Sequence, residues 1–142
     1  IERFSQIEEQ FTLAVSLHSA VQQTRDKIMP GTRKWPLPDL KRALINYNRT
    51  TNRRVTFEYA LMRGVNDSNS DLQALIEYCS GLICHVNLIP LNEIDDSSYQ
   101  PTASHVIDYW RDKLQANGIE ASVRNSRGQD IAGACGQLAN RK

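Results

Sequence analysis

Residues 55–90 read VTFEYALMRGVNDSNSDLQALIEYCSGLICHVNLIP, and this stretch decides the fold. The pattern predicts a strand at each end, over residues 55–61 and 83–90. Ser70 and Gln73 fit the capping box of a helix between the two strands. One face of that helix is apolar and is formed by Leu72, Leu75, Ile76 and Cys79. The stretch is therefore a strand–helix–strand unit, which is the building block of a parallel sheet.

The same alternation continues on both sides of this unit. Residues 11–17 (FTLAVSL) form a nearly continuous apolar run, typical of a strand buried on both faces of a parallel sheet. The helix that follows has Asp39 as its predicted N-cap. A later helix stops at Asn117 and Gly118, before a short fourth strand over residues 121–124. The order β-α-β-α-β-α-β predicts an α/β fold with right-handed crossovers.

The composition limits the class of protein. The chain has 142 residues, of which 40% are hydrophobic and 23% charged, enough for one domain. It has no apolar run near the roughly 18 residues that a membrane span needs. Cys79, Cys84 and Cys135 form no CxxC pair, which argues against a disulfide framework and favours a reducing, cytoplasmic location. The chain starts at Ile1 without a signal sequence, and we expect it to be cut from a longer protein.

The net charge of +1 conceals a strong asymmetry. Residues 25–54 hold nine basic and two acidic side chains, a net charge of +7. Residues 63–108 carry −6, and residues 109–142 carry +3. Such a distribution predicts a side that faces a polyanion, with RNA or DNA as the usual candidates. An ordinary solvated face is the alternative.

Ligands of parallel sheets bind at the carboxyl ends of the strands. That rule selects four places: Ser16, Leu17 and His18; residues 63–64; residues 90–92; and the residues after Arg124. Common signatures such as HExxH, GxSxG, the P-loop and GxGxxG are absent from the sequence. The sequence therefore does not show the common signatures of hydrolases or of proteins that bind nucleoside triphosphates or dinucleotides.

Cys135 lies in the small-residue stretch DIAGACGQL, residues 130–138. Small neighbours let a substrate approach closely, and the nearby Arg124 and Arg127 would favour a thiolate. A reactive cysteine is one interpretation, and an incidental loop cysteine is the other. Cys79 and Cys84 lie at apolar positions and are interpreted as small buried hydrophobes.

Several strings occur in an order that resembles one family. They are SLH at residues 16–18, RKWPL at 33–37, TFEY at 56–59, GVND at 64–67, CHVNLIP at 84–90 with Asn92, RG at 127–128, and ACGQL at 134–138. Together they resemble the C-terminal half of the RlmN/Cfr family of radical-SAM adenine methyltransferases. The similarity extends from about residue 11 to residue 138.

The resemblance implies a fold and a set of site residues. The family folds as a partial (β/α)6 barrel, of which this chain would supply the last three strands over about residues 11–118. A C-terminal extension over about residues 119–142 would carry Cys135 as the methyl-carrying cysteine. The residues that match the family's S-adenosylmethionine (SAM) contacts are Ser16, Leu17, His18 and Asn92. The charge distribution, rather than the resemblance, makes Arg33, Lys34, Arg124 and Arg127 the candidates for RNA contact.

The resemblance also implies a mechanism. The Cys135 thiolate takes a methyl group from one SAM, and a second SAM is cleaved reductively by a [4Fe–4S] cluster that an electron donor reduces. The resulting radical chemistry moves the carbon to an adenine ring, and a second cysteine resolves the adduct. Neither the CxxxCxxC cluster motif nor a plausible resolving cysteine is present. We therefore expect no metal ligands in this chain and no activity from the chain alone.

The expected substrate is carbon 2 of an adenine in 23S rRNA, with tRNA as a second candidate. One alternative is the Cfr-type reaction at carbon 8, which is associated with antibiotic resistance. Another is a non-catalytic α/β RNA-binding domain.

Overall fold

Strands and helices alternate along the chain in the computed structural model, which describes residues 12–91 and 99–124. The strands are β1 (Leu13–Ser16), β2 (Val55–Leu61), β3 (Cys84–Pro90) and β4 (Glu120–Val123). The helices are α1 (Gln22–Ile28), α2 (Leu37–Thr51), α3 (Asn69–Cys79) and α4 (Ser104–Ala116), with a 3-10 turn at Pro30–Thr32. The strands form one parallel sheet in the order β1-β2-β3-β4. The predicted α/β class and parallel sheet are confirmed.

The strand register gives the sheet two different faces. One row across the sheet, on the face where the helices pack, consists of Val15, Phe57, Val86 and Ala121. The adjacent row, on the opposite face, consists of Ser16, Glu58, Asn87 and Ser122. Successive residues of a strand point to opposite sides, so this alternation separates an apolar side from a polar side. We call them the covered face and the open face.

The core lies between the covered face and the helices. Phe57, Tyr59 and Trp110 are almost entirely buried, and the rings of Tyr59 and Trp110 lie 5.1 Å apart. Burying each large apolar side chain contributes about 1.5–3 kcal/mol, so this layer is the main source of stability. No helix in the described part of the chain is long and apolar enough to cross a membrane.

β1 is shorter and more exposed than the sequence suggests. The prediction that it is buried on both faces is wrong, because Ala14 and Ser16 are exposed while Leu13 and Val15 are half-buried. β1 stands at the edge of the described sheet, and its residues Leu13 and Val15, which share one face, pack against the core. An apolar run cannot show which of its residues lacks a covering layer.

The caps of two helices also differ from prediction. The capping box of α3 is formed by Ser68 and Asp71 rather than by Ser70 and Gln73. The Ser68 hydroxyl accepts from the Asp71 N–H at 3.1 Å, and Asp71 Oδ2 accepts from the Ser68 N–H at 3.1 Å. A carboxylate in the first turn also interacts favourably with the helix dipole, whereas an amide lacks that charge.

The N-cap of α2 is Pro36, so the prediction of Asp39 at this position is wrong. Asp39 lies inside the first turn and pairs with Arg42. The Leu37 N–H donates to the side chain of Gln22 at 2.8 Å. The first helical donor is thus satisfied by a neighbouring helix, which makes a carboxylate N-cap unnecessary.

Candidate functional site

The turn after β1 is held in place from two sides. The N–H groups of Leu17 and His18 both donate to the Glu58 carbonyl, at 3.0 and 3.3 Å. From α1, the buried Arg25 donates through Nε to the Leu17 carbonyl at 3.0 Å and through Nη2 to the Ser16 carbonyl at 3.1 Å. The three residues predicted to contact SAM therefore have a fixed backbone at the carboxyl end of the strand.

His18 has an unusual conformation and a defined protonation state. Its φ of 56° lies in the left-handed region, which non-glycine residues seldom adopt. Its Nδ1 accepts from the Ala60 N–H at 2.9 Å, so the proton of the neutral ring is on Nε2. Burial, reinforced by the positive charge of Arg25, lowers the pKa of His18 to about 4. At neutral pH, His18 is an uncharged group whose remaining donor is Nε2–H.

Asn66 connects the turn after β2 to the turn after β1. It is fully buried, and its Nδ2 donates to the carbonyls of His18 and Ala60, both at 2.8 Å. Its Oδ1 accepts from the Met62 N–H at 2.7 Å, while its own carbonyl accepts from the Tyr59 hydroxyl at 2.8 Å. Asn66 therefore positions His18, a role that sequence reasoning missed, because residues 64–67 entered it only as a string of the family resemblance.

The open face carries a hydrogen-bonded row of polar side chains. Glu58 Oε1 pairs with Arg124 Nη2 at 2.8 Å, and Glu58 Oε2 accepts from Asn87 Nδ2 at 3.4 Å. Asn87 Oδ1 accepts from the Ser122 hydroxyl at 2.8 Å, and His85 Nε2 lies 2.8 Å from the same hydroxyl. Sequence reasoning missed this row, although the alternation of polar and apolar residues along β2 signals it. The interior of a (β/α) barrel is lined by such layers from alternate strand positions.

The RNA-contact candidates that the structure describes lie in different parts of the fold. Arg124 lies on the open face, where it pairs with Glu58, and its N–H donates to the Leu88 carbonyl at 2.9 Å. Arg33 and Lys34 are exposed in the loop before α2. Predictions for Asn92, Arg127 and Cys135 lie outside the described residues.

The two described cysteines form a buried pair at the end of α3 and the start of β3. A hydrogen bond between the thiols, together with burial, raises the pKa of Cys79 above its ordinary value. Both residues are buried and free of disulfides, which confirms their interpretation as small buried side chains. Within residues 12–91 and 99–124, no three His, Cys, Asp or Glu side chains are grouped so as to hold a metal ion.

Comparison with solved structures identifies the class of protein. A radical SAM methyltransferase from Sphaerobacter thermophilus superimposes with a TM-score of 0.89 and 43% identity, covering 96% of this chain and 40% of that one. A domain of the pyruvate-formate lyase-activating enzyme from Bacteroides vulgatus superimposes with a TM-score of 0.63 at 16% identity, over 79% of this chain and 66% of that one. The second likeness concerns the fold alone. The fold is that of the radical SAM enzymes.

Comparison with curated proteins identifies the relatives of this chain within that class. A "Probable dual-specificity RNA methyltransferase RlmN" from Flavobacterium psychrophilum is 46% identical over all 142 residues, which are 41% of that protein. The protein of the same name from Clostridium novyi is 47% identical over 129 residues, 91% of this chain and 38% of that one. No family model matches the chain.

The chain corresponds to the C-terminal part of these relatives, which confirms the RlmN/Cfr resemblance of the sequence motifs. It spans about 40% of the length of these relatives.

Proposed function

We propose that this chain is part of a radical SAM RNA methyltransferase that methylates carbon 2 of an adenine in 23S rRNA, with tRNA as a second substrate. The observation that carries the proposal is the 46% identity, along the whole chain, to a protein named as a dual-specificity RNA methyltransferase. Because the chain covers about 40% of that relative, the activity is proposed for the complete enzyme that contains this sequence.

The turn of residues 16–18 has a donor set that fits SAM. The exposed Ser16 offers a hydroxyl, and the neutral His18 offers Nε2–H, on a backbone that Arg25 and Asn66 hold in position. SAM presents carboxylate, hydroxyl and ring-nitrogen acceptors to such donors, and it supplies both the methyl group and the radical of the reaction. An uncharged His18 also avoids repulsion from the positive sulfonium of the cofactor. We propose Asn92 as a further SAM contact.

The iron–sulfur cluster does not fit the described residues. Cys79 and Cys84 are buried against each other, and no group of metal-ligating side chains accompanies them in the described ranges. We propose that the cluster ligands lie outside this sequence and that an electron donor serves the complete enzyme. On this basis the chain alone is catalytically inactive.

Cys135 is the proposed methyl carrier. An adenine ring carbon is too poor a nucleophile for direct methyl displacement, whereas a thiolate is a good one, so the methyl group is first placed on sulfur. We assign Cys135, in a cytoplasmic enzyme, to the C-terminal extension of about residues 119–142, which follows the barrel part of about residues 11–118. The extension begins with β4, which joins the sheet beside β3.

The test is the Cys135→Ala variant of the complete enzyme, with Cys79→Ala as the matched control. RNA methylation should be lost in the first and retained in a folded form of the second. Mass spectrometry of the modified nucleoside then identifies the ring position. Persistent methylation without Cys135 would exclude the carrier role, a carbon 8 product would indicate the Cfr-type reaction, and no methylation in any form would indicate a binding domain.

A further inference from the structure

Trp35 is the most exposed large apolar side chain of the described part of the molecule. It is 62% exposed, compared with 46% for Ile83 and 45% for Tyr109. The Tyr109 ring is partly covered by Lys113, whose Nζ lies 5.9 Å from the ring centroid. No ring or cation contact to Trp35 is found among residues 12–91 and 99–124. The indole therefore offers a free aromatic surface.

The loop that presents Trp35 is fixed by local hydrogen bonds. The Trp35 N–H donates to the Thr32 carbonyl at 2.8 Å, and the Thr32 N–H donates to the Met29 carbonyl at 2.9 Å. Immediately after Trp35, Pro36 restricts the backbone, and the Leu37 N–H is bound by the Gln22 side chain. A loop ordered in advance loses little conformational entropy when it binds a ligand.

The charges around Trp35 are positive and locally uncompensated. Arg33 and Lys34 are both exposed and form no ion pair with any residue that the structure describes. Residues 25–54 hold nine basic and two acidic side chains, so this segment keeps a net positive charge. Asp26 accepts from Gln22 Nε2 at 2.9 Å, and Asp39 pairs with Arg42. The loop therefore attracts anions rather than a basic partner.

We propose that Arg33, Lys34 and Trp35 form a contact surface for single-stranded RNA, in which Trp35 stacks on an unpaired base. The inference rests on the proposed RNA methyltransferase function and names a contact of its substrate. An aromatic surface beside cationic side chains is how proteins bind unpaired nucleotides, since stacking holds the base while the cations bind phosphates. Arg33 and Lys34 hold the phosphates on either side of the stacked base.

A second tryptophan in the chain serves as the internal control for a fluorescence-quenching experiment. This residue, Trp110, is 1% exposed and packs against Tyr59. A single-stranded oligoadenylate added to the 142-residue protein should quench the emission of the exposed Trp35 and leave that of Trp110 unchanged. In the Trp35→Phe variant the quenching should disappear.

Affinities are compared by the anisotropy of a fluorescein-labelled oligoadenylate. Trp35→Ala should weaken binding roughly 5- to 100-fold, as loss of one stacked base does. The matched control Tyr109→Ala removes an exposed aromatic ring from α4 and should leave affinity unchanged.

The cationic side chains are tested by salt dependence. The double variant Arg33→Gln with Lys34→Gln should reduce the slope of log affinity against log salt concentration by about one to two. A duplex of the same length, which has no unpaired base, should show no effect of Trp35→Ala.

Equal affinity of wild type and Trp35→Ala, unquenched emission, or an oligonucleotide that does not bind would overturn the inference. An effect of Trp35 that is equally large with duplex would also contradict stacking. Loss of methylation in Cys135→Ala together with normal RNA binding by Trp35→Ala leaves the proposed function intact and this inference wrong. If methylation persists without Cys135 while Trp35→Ala weakens RNA binding, the inference about Trp35 holds and the carrier role of Cys135 is wrong.

Discussion

The two faces of the sheet are formed by the same strands but differ in the polarity of their side chains and in what covers them. In β2, Phe57 and Tyr59 are fully buried under the helices, while Glu58 between them faces the open side and pairs with Arg124. The covered face is completed by this chain's own helices. The open face carries a polar row, which is held by side-chain hydrogen bonds and by the ion pair between Glu58 and Arg124. We call the turns after β1 and β2, which Asn66 joins, the rim. The difference indicates that substitutions on the covered face cost the most stability, those at the rim cost less, and those on the open face cost least.

The largest effect is expected on the covered face. Phe57→Ala removes a fully buried ring that packs against Tyr78, with ring centroids 6.0 Å apart. The free energy of unfolding should fall by about 3–5 kcal/mol, because the cavity cannot close completely. Urea denaturation followed by circular dichroism measures the change. A loss below about 1 kcal/mol would mean that the covered face is not the core.

The next largest loss of stability is expected at the rim, where Asn66 joins the turns after β1 and β2. Asn66→Ala leaves the Met62 N–H and the carbonyls of His18 and Ala60 without their partner. The free energy of unfolding should fall by about 2–4 kcal/mol, since each buried unsatisfied group costs about 1–3 kcal/mol. Asn69→Ala, in the exposed first turn of α3, is the matched control and should change it little. Equal effects of the two variants would contradict the role of Asn66.

A pH dependence is expected from His18. Its pKa is lowered to about 4 in the folded protein, whereas the unfolded chain has an ordinary pKa of 6.5. The unfolded state therefore takes up the proton first, and this contribution to stability is complete above pH 6.5 and is lost as the pH falls from 6.5 towards 4. The loss should reach at most about 3 kcal/mol.

His18→Asn is the control for this titration. Asparagine tolerates the left-handed backbone and can accept from the Ala60 N–H, but it does not titrate. Urea denaturation at several pH values between 4 and 7 compares the two proteins. A variant with the same pH dependence as wild type would show that another group is responsible.

The smallest effect is expected on the open face. Glu58→Gln keeps the shape of the side chain but removes the charge that pairs with the half-buried Arg124. A double-mutant cycle with Arg124→Gln should give a coupling energy of about 1 kcal/mol, because the pair is partly exposed and screened by solvent. A coupling as large as the effect of Phe57→Ala would remove the distinction between the two faces.

The sequence predicts the covered face better than the rim. The bounds of β2 follow from the alternation that places Phe57 and Tyr59 on one side, and the apolar side of α3 follows from the spacing of Leu72 and Leu75. Burial on one side produces such a regular period. The hydrogen bonds of the rim have no such period. The contact between His18 and Ala60 joins residues 42 positions apart and depends on how β1 and β2 align.

Local choices between similar residues are also hard to predict. Ser68 and Ser70 are both suitable N-caps by residue type, and only the side chain three positions later, Asp71 rather than Gln73, distinguishes them. For β1, the apolar run shows that a strand forms but not that one of its faces is left open. In both cases the outcome depends on neighbouring residues in the fold rather than on the chemistry of the residue itself.

The most direct test of the proposed function is the chemical state of Cys135 in the complete enzyme, isolated after expression with SAM available. Peptide mass spectrometry should find a methyl group on the sulfur of Cys135 and none on Cys79 or Cys84, which are buried. An enzyme that methylates RNA while Cys135 remains unmodified throughout turnover would contradict the proposal.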